Sequence, residues 1–205
     1  KSVTYIYDIF SKKLTEVAPF TVDLLLPSGA ENLNYVLYTD ESPYKMQREW
    51  LDRLPFDIYS VNVHTGAKRL IGRSYRTAPK WSVNGKWAVM YDPIAQVWNK
   101  FDGATGKVVN ISDAIGYPMF MESYDKPAPA PAYGIAGWTA DGNNVFLYDA
   151  YDWWKIDLTG ERQPECLTKG YGRKHGKSIR KMTSNIDKDV FQKDEKVIVS
   201  LWDKD

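Results

Sequence analysis

Two stretches of this 205-residue chain repeat one another. "PKWSVNGKWAVMYDPIAQVWNKFDGATGKVVNIS" starts at Pro79, and "AGWTADGNNVFLYDAYDWWKIDLTGERQPECLT" starts at Ala136. Laid together, Trp81 meets Trp138, Asn84-Gly85 meets Asp141-Gly142, Tyr91-Asp92 meets Tyr148-Asp149, Trp98 meets Trp154, and Thr105-Gly106 meets Thr159-Gly160. Self-similarity on this scale marks a supersecondary unit that cannot bury its apolar faces alone and must stack on its neighbours.

Each shared feature has a mechanical reading. Asn-Gly and Asp-Gly suit the primed hairpin turn, in which both central residues take positive φ, so Gly85 and Gly142 mark the first hairpin of each unit. "WAVMYD" and "VFLYDA" are nearly continuous apolar runs of strand length, as a sheet covered on both faces requires. "VWNKFD" and "WWKIDL" alternate more, and a Thr-Gly turn at Gly106 or Gly160 leads to a short last strand. Four strands in up-and-down order read as a propeller blade.

A weaker copy of the pattern begins at "YVLYTDES" and runs through "FDIYSVNVHTGAKRLI", with its Thr-Gly turn at Gly66 and an excursion from Ser42 to Leu54. "TYIYDIFSKKLTEVA" reads as the last two strands of a preceding blade, and "KVIVSLWDKD" as the second strand of a following one. The expected fold is therefore all-β: a β-propeller of four-stranded antiparallel blades, incomplete. Residues 1–205 form part of a single propeller domain, with about three full blades and partial blades at each end. Uncovered blade edges lead to an expectation of self-association.

Composition fits many short strands and tight turns, with 8 Trp and 14 Tyr among abundant Gly, Pro, Asn and Asp. The net charge of +1 supplies no field for nucleic acid or anionic lipid, so neither is expected as a partner. Aliphatic runs such as "VDLLLP" are too short to span a bilayer. The chain opens at Lys1 without Met or an apolar leader and reads as a processed or excised piece. Its single cysteine, Cys166, reads as a small buried hydrophobe and leaves the compartment open, with a periplasmic or otherwise exported location slightly favoured over the cytoplasm.

"KGYGRKHGKS" (169–178) imitates a phosphate loop but has the wrong spacing. Gly172 is one residue too close to Gly176 and Gly170 one too far, and "IRKMTSNID" is no amphipathic helix. It reads as a polar surface loop between the last strand of one blade and the first of the next. His64 and His175 lack converging carboxylates, and "DKDVFQKDE" from Asp187 has Phe191 and Gln192 where a calcium loop needs an oxygen ligand and glycine, so it reads as a solvated turn. No cofactor or metal is expected.

The order of these motifs carries a resemblance. "YGIAGWTADGNNVFLYDAYDWWKIDLTG" through "CLTKGYGRKHGKSIR", with "SPYKMQREWLDRLPFDIYSVNVHTGAKRLI" upstream and the Pro-rich "YDKPAPAPAYG" between, resembles the N-terminal propeller of bacterial prolyl-oligopeptidase-family serine peptidases. The resemblance implies a C-terminal α/β-hydrolase domain of the same polypeptide, bearing a Ser-Asp-His triad, to which the propeller restricts access of peptide substrates. That catalytic domain is absent from this chain. No Gly-x-Ser-x-Gly elbow occurs, since "GRSYR" and "GKSIR" lack the last glycine, and no catalytic residue is assigned. The alternative is a stand-alone propeller that binds protein or glycan.

Two regions are candidates for contact with substrate. The segment Asp113 to Tyr133 interrupts the repeat and carries Tyr117, Glu122, Tyr124 and Asp125; it reads either as a substrate-facing arm or as a loop packed on its own blade. Tyr171 and Arg173 in the basic loop are assigned with them. Met46, Trp50 and Leu54 recur at one-turn spacing in the Ser42–Leu54 excursion, which reads as a docking element for the neighbouring blade. Trp153 and Trp154 must point to opposite faces, and two covered faces account for both.

Overall fold

The computed structural model describes residues 3–19, 22, 24–28, 34–51, 53–182 and 189–203. The chain is mostly β, as the repeat requires. It opens with an antiparallel hairpin of β1 (Thr4–Asp8) and β2 (Lys13–Ala18). Next comes a four-stranded antiparallel sheet in chain order: β3 (Leu24–Leu26), β4 (Tyr35–Asp40), β5 (Phe56–Asn62) and β6 (Lys68–Tyr75). A second contains β7 (Lys80–Trp81), β8 (Trp87–Asp92), β9 (Val97–Asp102) and β10 (Val108–Asn110). The third contains β11 (Ile135–Thr139), β12 (Asn144–Tyr148), β13 (Trp153–Asp157) and β14 (Glu165–Cys166). One helical turn, α1 (Tyr171–His175), leads into β15 (Lys177–Lys181). The described sheets do not close into a ring.

Two further strands complete the chain. β17 (Val199–Asp203) pairs antiparallel with β15, and β16 (Val190–Phe191) adds a parallel fifth strand to the free edge of β11. The sequence reads this last region as a solvated turn. What admits a strand there is Gly137, where a Cβ would lie 2.5 Å from the Phe191 ring and 2.7 Å from the Asp189 carbonyl oxygen. The part of "DKDVFQKDE" before Asp189 lies outside the described residues.

Alternating side chains stack the sheets into layers. Along β8, Ala88 and Met90 meet Leu37, Ile58 and Tyr75 of the first sheet, while Val89 and Tyr91 meet Val145, Leu147 and Trp154 of the third. The other face of the third sheet presents Phe146, Tyr148 and Trp153 to Ile179 and Phe191. On the first sheet, Val36, Tyr38 and Val61 meet Ile6 and Val17 of the β1–β2 hairpin. Every four-stranded sheet is thus covered on both faces, which is why its middle strands read as unbroken apolar runs. Trp153 and Trp154 are both buried, on opposite faces.

The glycine turns gather at one end of the stack. Gly66, Gly85, Gly106, Gly142 and Gly160 all have positive φ, but Asn84 and Asp141 do not, so the first hairpins are not the primed two-residue turns their sequence suggests. The Gly85 N–H instead bonds the Ser82 carbonyl, and Gly142 bonds Thr139. The hydroxyls decide the geometry: Ser82 Oγ donates to Asn84 Oδ1 and accepts from the Trp87 N–H, and Thr139 Oγ1 does the same with Asp141 Oδ1 and the Asn144 N–H. The side chain of residue one stands in for a backbone rung and holds a longer loop open.

Last hairpins share another device. Asn62 Oδ1 accepts the N–H groups of His64 and Thr65, and Asp102 Oδ1 those of Ala104 and Thr105. In the β1–β2 hairpin Asp8 Oδ1 accepts from Phe10 and Ser11, and Lys12, at φ +54, holds the place that Gly66 and Gly106 hold elsewhere. The hairpin is therefore built like the last two strands of a sheet.

Candidate functional site

The opposite end carries the two longest connections, residues 41–55 and 111–134. Here the β4–β5, β8–β9 and β12–β13 connections meet the crossings between sheets. In the first sheet Ser42–Gln47 forms a 3-10 helix, as its spacing suggests, but the apolar stripe does not dock: Leu54 is buried, while Met46 and Trp50 are 84% and 75% exposed.

At the third sheet the same end is polar and tightly held. An Asp ends the second strand of the first two sheets and directly follows it in the third, and Asp92 shows the simple form, accepting the Ile94 and Ala95 N–H groups at 2.9 Å. Asp149 elaborates it. Its Oδ1 accepts the N–H groups of Tyr151 and Asp152, both at 2.6 Å, and its Oδ2 accepts Trp154 Nε1–H and Arg173 Nη2–H, both at 3.0 Å. With no exposed surface, the carboxylate replaces its lost hydration with four directed donors.

Asp152, 1% exposed, anchors the basic loop. Its Oδ1 accepts Thr168 Oγ1–H at 2.6 Å and the Gly172 N–H at 3.0 Å, and its Oδ2 accepts the Arg173 N–H at 3.1 Å. Glycines at φ +70 and +65, Gly170 and Gly176, bracket α1 and turn the chain sharply in and out. Gly172 is required for a different reason, since a Cβ there would lie 2.6 Å from the carbonyl oxygens of Lys177 and Tyr151. The "GYGRK" string is thus a docking device for two buried carboxylates. Cys166 assists, half-buried, with its Sγ accepting the Gly170 N–H.

Two arginines meet aromatic rings at this end. Arg180 Nη1 donates to the Ile179 carbonyl and Nη2 to those of Asp149 and Ala150, beside Tyr148 and Tyr133. Burial lowers its pKa, opposed by Tyr148 and Asp149, and burial likewise raises that of Tyr148. Arg173 is different: its guanidinium carbon lies 3.8 Å from the Tyr117 ring centre and 4.9 Å from that of Tyr151, and its side chain keeps 29% of its surface exposed.

Of the residues assigned to substrate from sequence, Tyr117 and Arg173 are therefore in contact, with Tyr117 also packed on Trp154. Tyr171, exposed on α1, stacks on His175 at 4.3 Å. Glu122, Tyr124 and Asp125 lie in the excursion closed by the Phe120–Ala132 bridge; the Glu122 N–H bonds the Tyr133 hydroxyl and the Tyr124 N–H the Met121 carbonyl. Sequence reading assigned no site role to Asp149, Asp152, Tyr133 or Arg180.

The cluster offers a cation, ring faces and saturated carboxylates, the chemistry of binding. A groove of about 570 Å³ lies elsewhere, against β16, lined by Phe146, Lys155, Leu167 and Phe191 among others. No protein-family model and no curated protein matches the chain.

Proposed function

We propose that this chain is the non-catalytic propeller part of a prolyl-oligopeptidase-like serine peptidase, restricting peptide access to a catalytic α/β-hydrolase domain outside it. The observation that carries the reading is the stacking of three equivalent four-stranded meanders through alternate faces, the arrangement of consecutive propeller blades. The order of "YGIAGWTADG", "YDWWKIDLTG" and "GYGRK" ties those blades to the peptidase propellers they resemble. The two longest connections, residues 41–55 and 111–134, fall at one end, where a catalytic domain would face them. Short or unfolded peptides pass such a rim and folded proteins do not.

The half-exposed pair of Arg173 and Tyr117 favours a second reading, a stand-alone propeller that binds protein or glycan. Hydrolysis by the full polypeptide separates the two. Cleavage of short peptides with a folded protein left intact is the expected outcome. Equal cleavage of the folded protein contradicts gating, and cleavage of neither leaves the binding module.

A further inference from the structure

We infer that Arg173 recognises the carboxylate of a bound peptide, in a shallow site walled by Tyr117 and Tyr151; the inference rests on the peptide-facing reading above. The two arginines of the cluster are built for different work. Arg180 is spent on three backbone carbonyls and braces the β12–β13 turn. Arg173 donates from its side chain only through Nη2, and its Nε–H and Nη1–H groups reach no acceptor among the described residues. Guanidinium carries five donors in a rigid fork, so an edge of that fork is left for a ligand.

Asp149 orients this fork rather than depending on it. Three other donors already serve the carboxylate, namely the Tyr151 and Asp152 N–H groups and Trp154 Nε1–H. The ring of Tyr117 at 3.8 Å and that of Tyr151 at 4.9 Å pack against the guanidinium and restrict its movement. A donor pair held in place before the ligand arrives loses little freedom on binding it.

Charge selects an anion over a peptide amine. Asp149 and Asp152, the two acids bonded to the Arg173 segment, are buried and saturated by donors. Lys169 and Lys174 flank Arg173 on the same segment, both exposed, and neither joins an ion pair among the described residues. A carboxylate matches the open fork with parallel hydrogen bonds, whether it is a peptide C-terminus or an acidic side chain.

The test uses the 205-residue protein and calorimetry with four probes: acetyl-Ala-Pro-Ala with a free C-terminus, its C-terminal amide, acetyl-Ala-Asp-Ala amide and inorganic phosphate. At least one carboxylate peptide is expected to bind roughly 10-fold or more tighter than the neutral amide, the size of one charge-assisted pair. Which peptide does so identifies the source. Arg173→Gln is expected to abolish that preference and Arg173→Lys to reduce it. In case Arg173→Gln fails to fold, the NMR signal of Arg173 Nε–H in the unaltered protein is read during titration. It should move with the carboxylate peptide and not with the amide, and phosphate should compete for it. Equal affinity for acid and amide, an unmoved Nε–H signal, or binding of phosphate alone overturns the inference. None of these results touches size-selective cleavage by the full polypeptide, which tests the gating reading separately.

Discussion

Asp152 Oδ1 accepts the Gly172 N–H at 3.0 Å across 20 residues of sequence, joining the β12–β13 turn to the basic loop. That contact demands a residue without Cβ, because the carbonyl oxygens of Tyr151 and Lys177 close over the same carbon. Gly172→Ala should destabilise the protein by about 1–3 kcal/mol, the usual range for overpacking against atoms that cannot move aside. Gly170→Ala meets nothing within 4 Å and pays only for its left-handed φ of +70, about 1–2 kcal/mol. Denaturant melts of the two variants check this: loss of the Arg173–Tyr117 contact should accompany the first and not the second.

Lys12 gives a prediction of opposite sign. It sits at φ +54 in the place other last hairpins give to glycine. Lys12→Gly should therefore stabilise by up to about 1 kcal/mol, since the strain of a left-handed non-glycine residue is relieved. A lower melting temperature would show that the β1–β2 turn is not equivalent to those at Gly66 and Gly106.

Acid should loosen the glycine-turn end. The hydroxyl of Thr139 and the N–H of Asn143 hold the Asp141 carboxyl below its ordinary 3.8. Below that value the unfolded chain binds more protons than the folded one, so the stabilisation is complete above about pH 4 and is lost as pH falls through the lower folded value. Asp157 adds to the same window; burial opposes its ionisation, but the Thr159 hydroxyl and the N–H groups of Thr159, Arg162 and Glu161 outweigh it. Thr139→Val should flatten the fall in stability between pH 4 and pH 2. An unchanged slope would remove Asp141 from the account.

The outer layers make a prediction about assembly. Tyr5, Tyr7 and Leu14 of the first hairpin and Leu201 and Trp202 of the last are exposed, and β1 and β17 each leave one edge unpaired among the described strands. Apolar area and open strand edges both favour association. Sedimentation velocity on residues 1–205 should show mass rising with concentration. A strict monomer at high concentration would contradict that expectation.

Much of this was legible in the sequence because repetition doubles every signal. The Trp, Asp-Gly and Thr-Gly landmarks placed the strands, and apolar runs at "WAVMYD" and "VFLYDA" announced covered faces. The turn chemistry was misread because Ser82 and Thr139, two residues before the Asn and Asp, supply a hydroxyl that a dipeptide rule does not consider. β16 was missed because its pairing depends on Gly137, some fifty residues earlier, and nothing local marks Val190–Phe191 as a strand. At the candidate site, Tyr117 and Arg173 were found through loop position and composition. Their partners Asp149 and Asp152 were not, because the basic-loop donors that complete them, Thr168, Gly172 and Arg173, lie 16 to 24 residues away in sequence.

Labelling with a fluorophosphonate probe tests the central claim most directly. The full polypeptide is treated, digested, and the modified serine mapped. The account predicts one labelled serine, in a Gly-x-Ser-x-Gly setting outside residues 1–205, and no label on the 205-residue chain alone. Stoichiometric label on a serine within these residues, or none anywhere in an intact full-length protein, would contradict it.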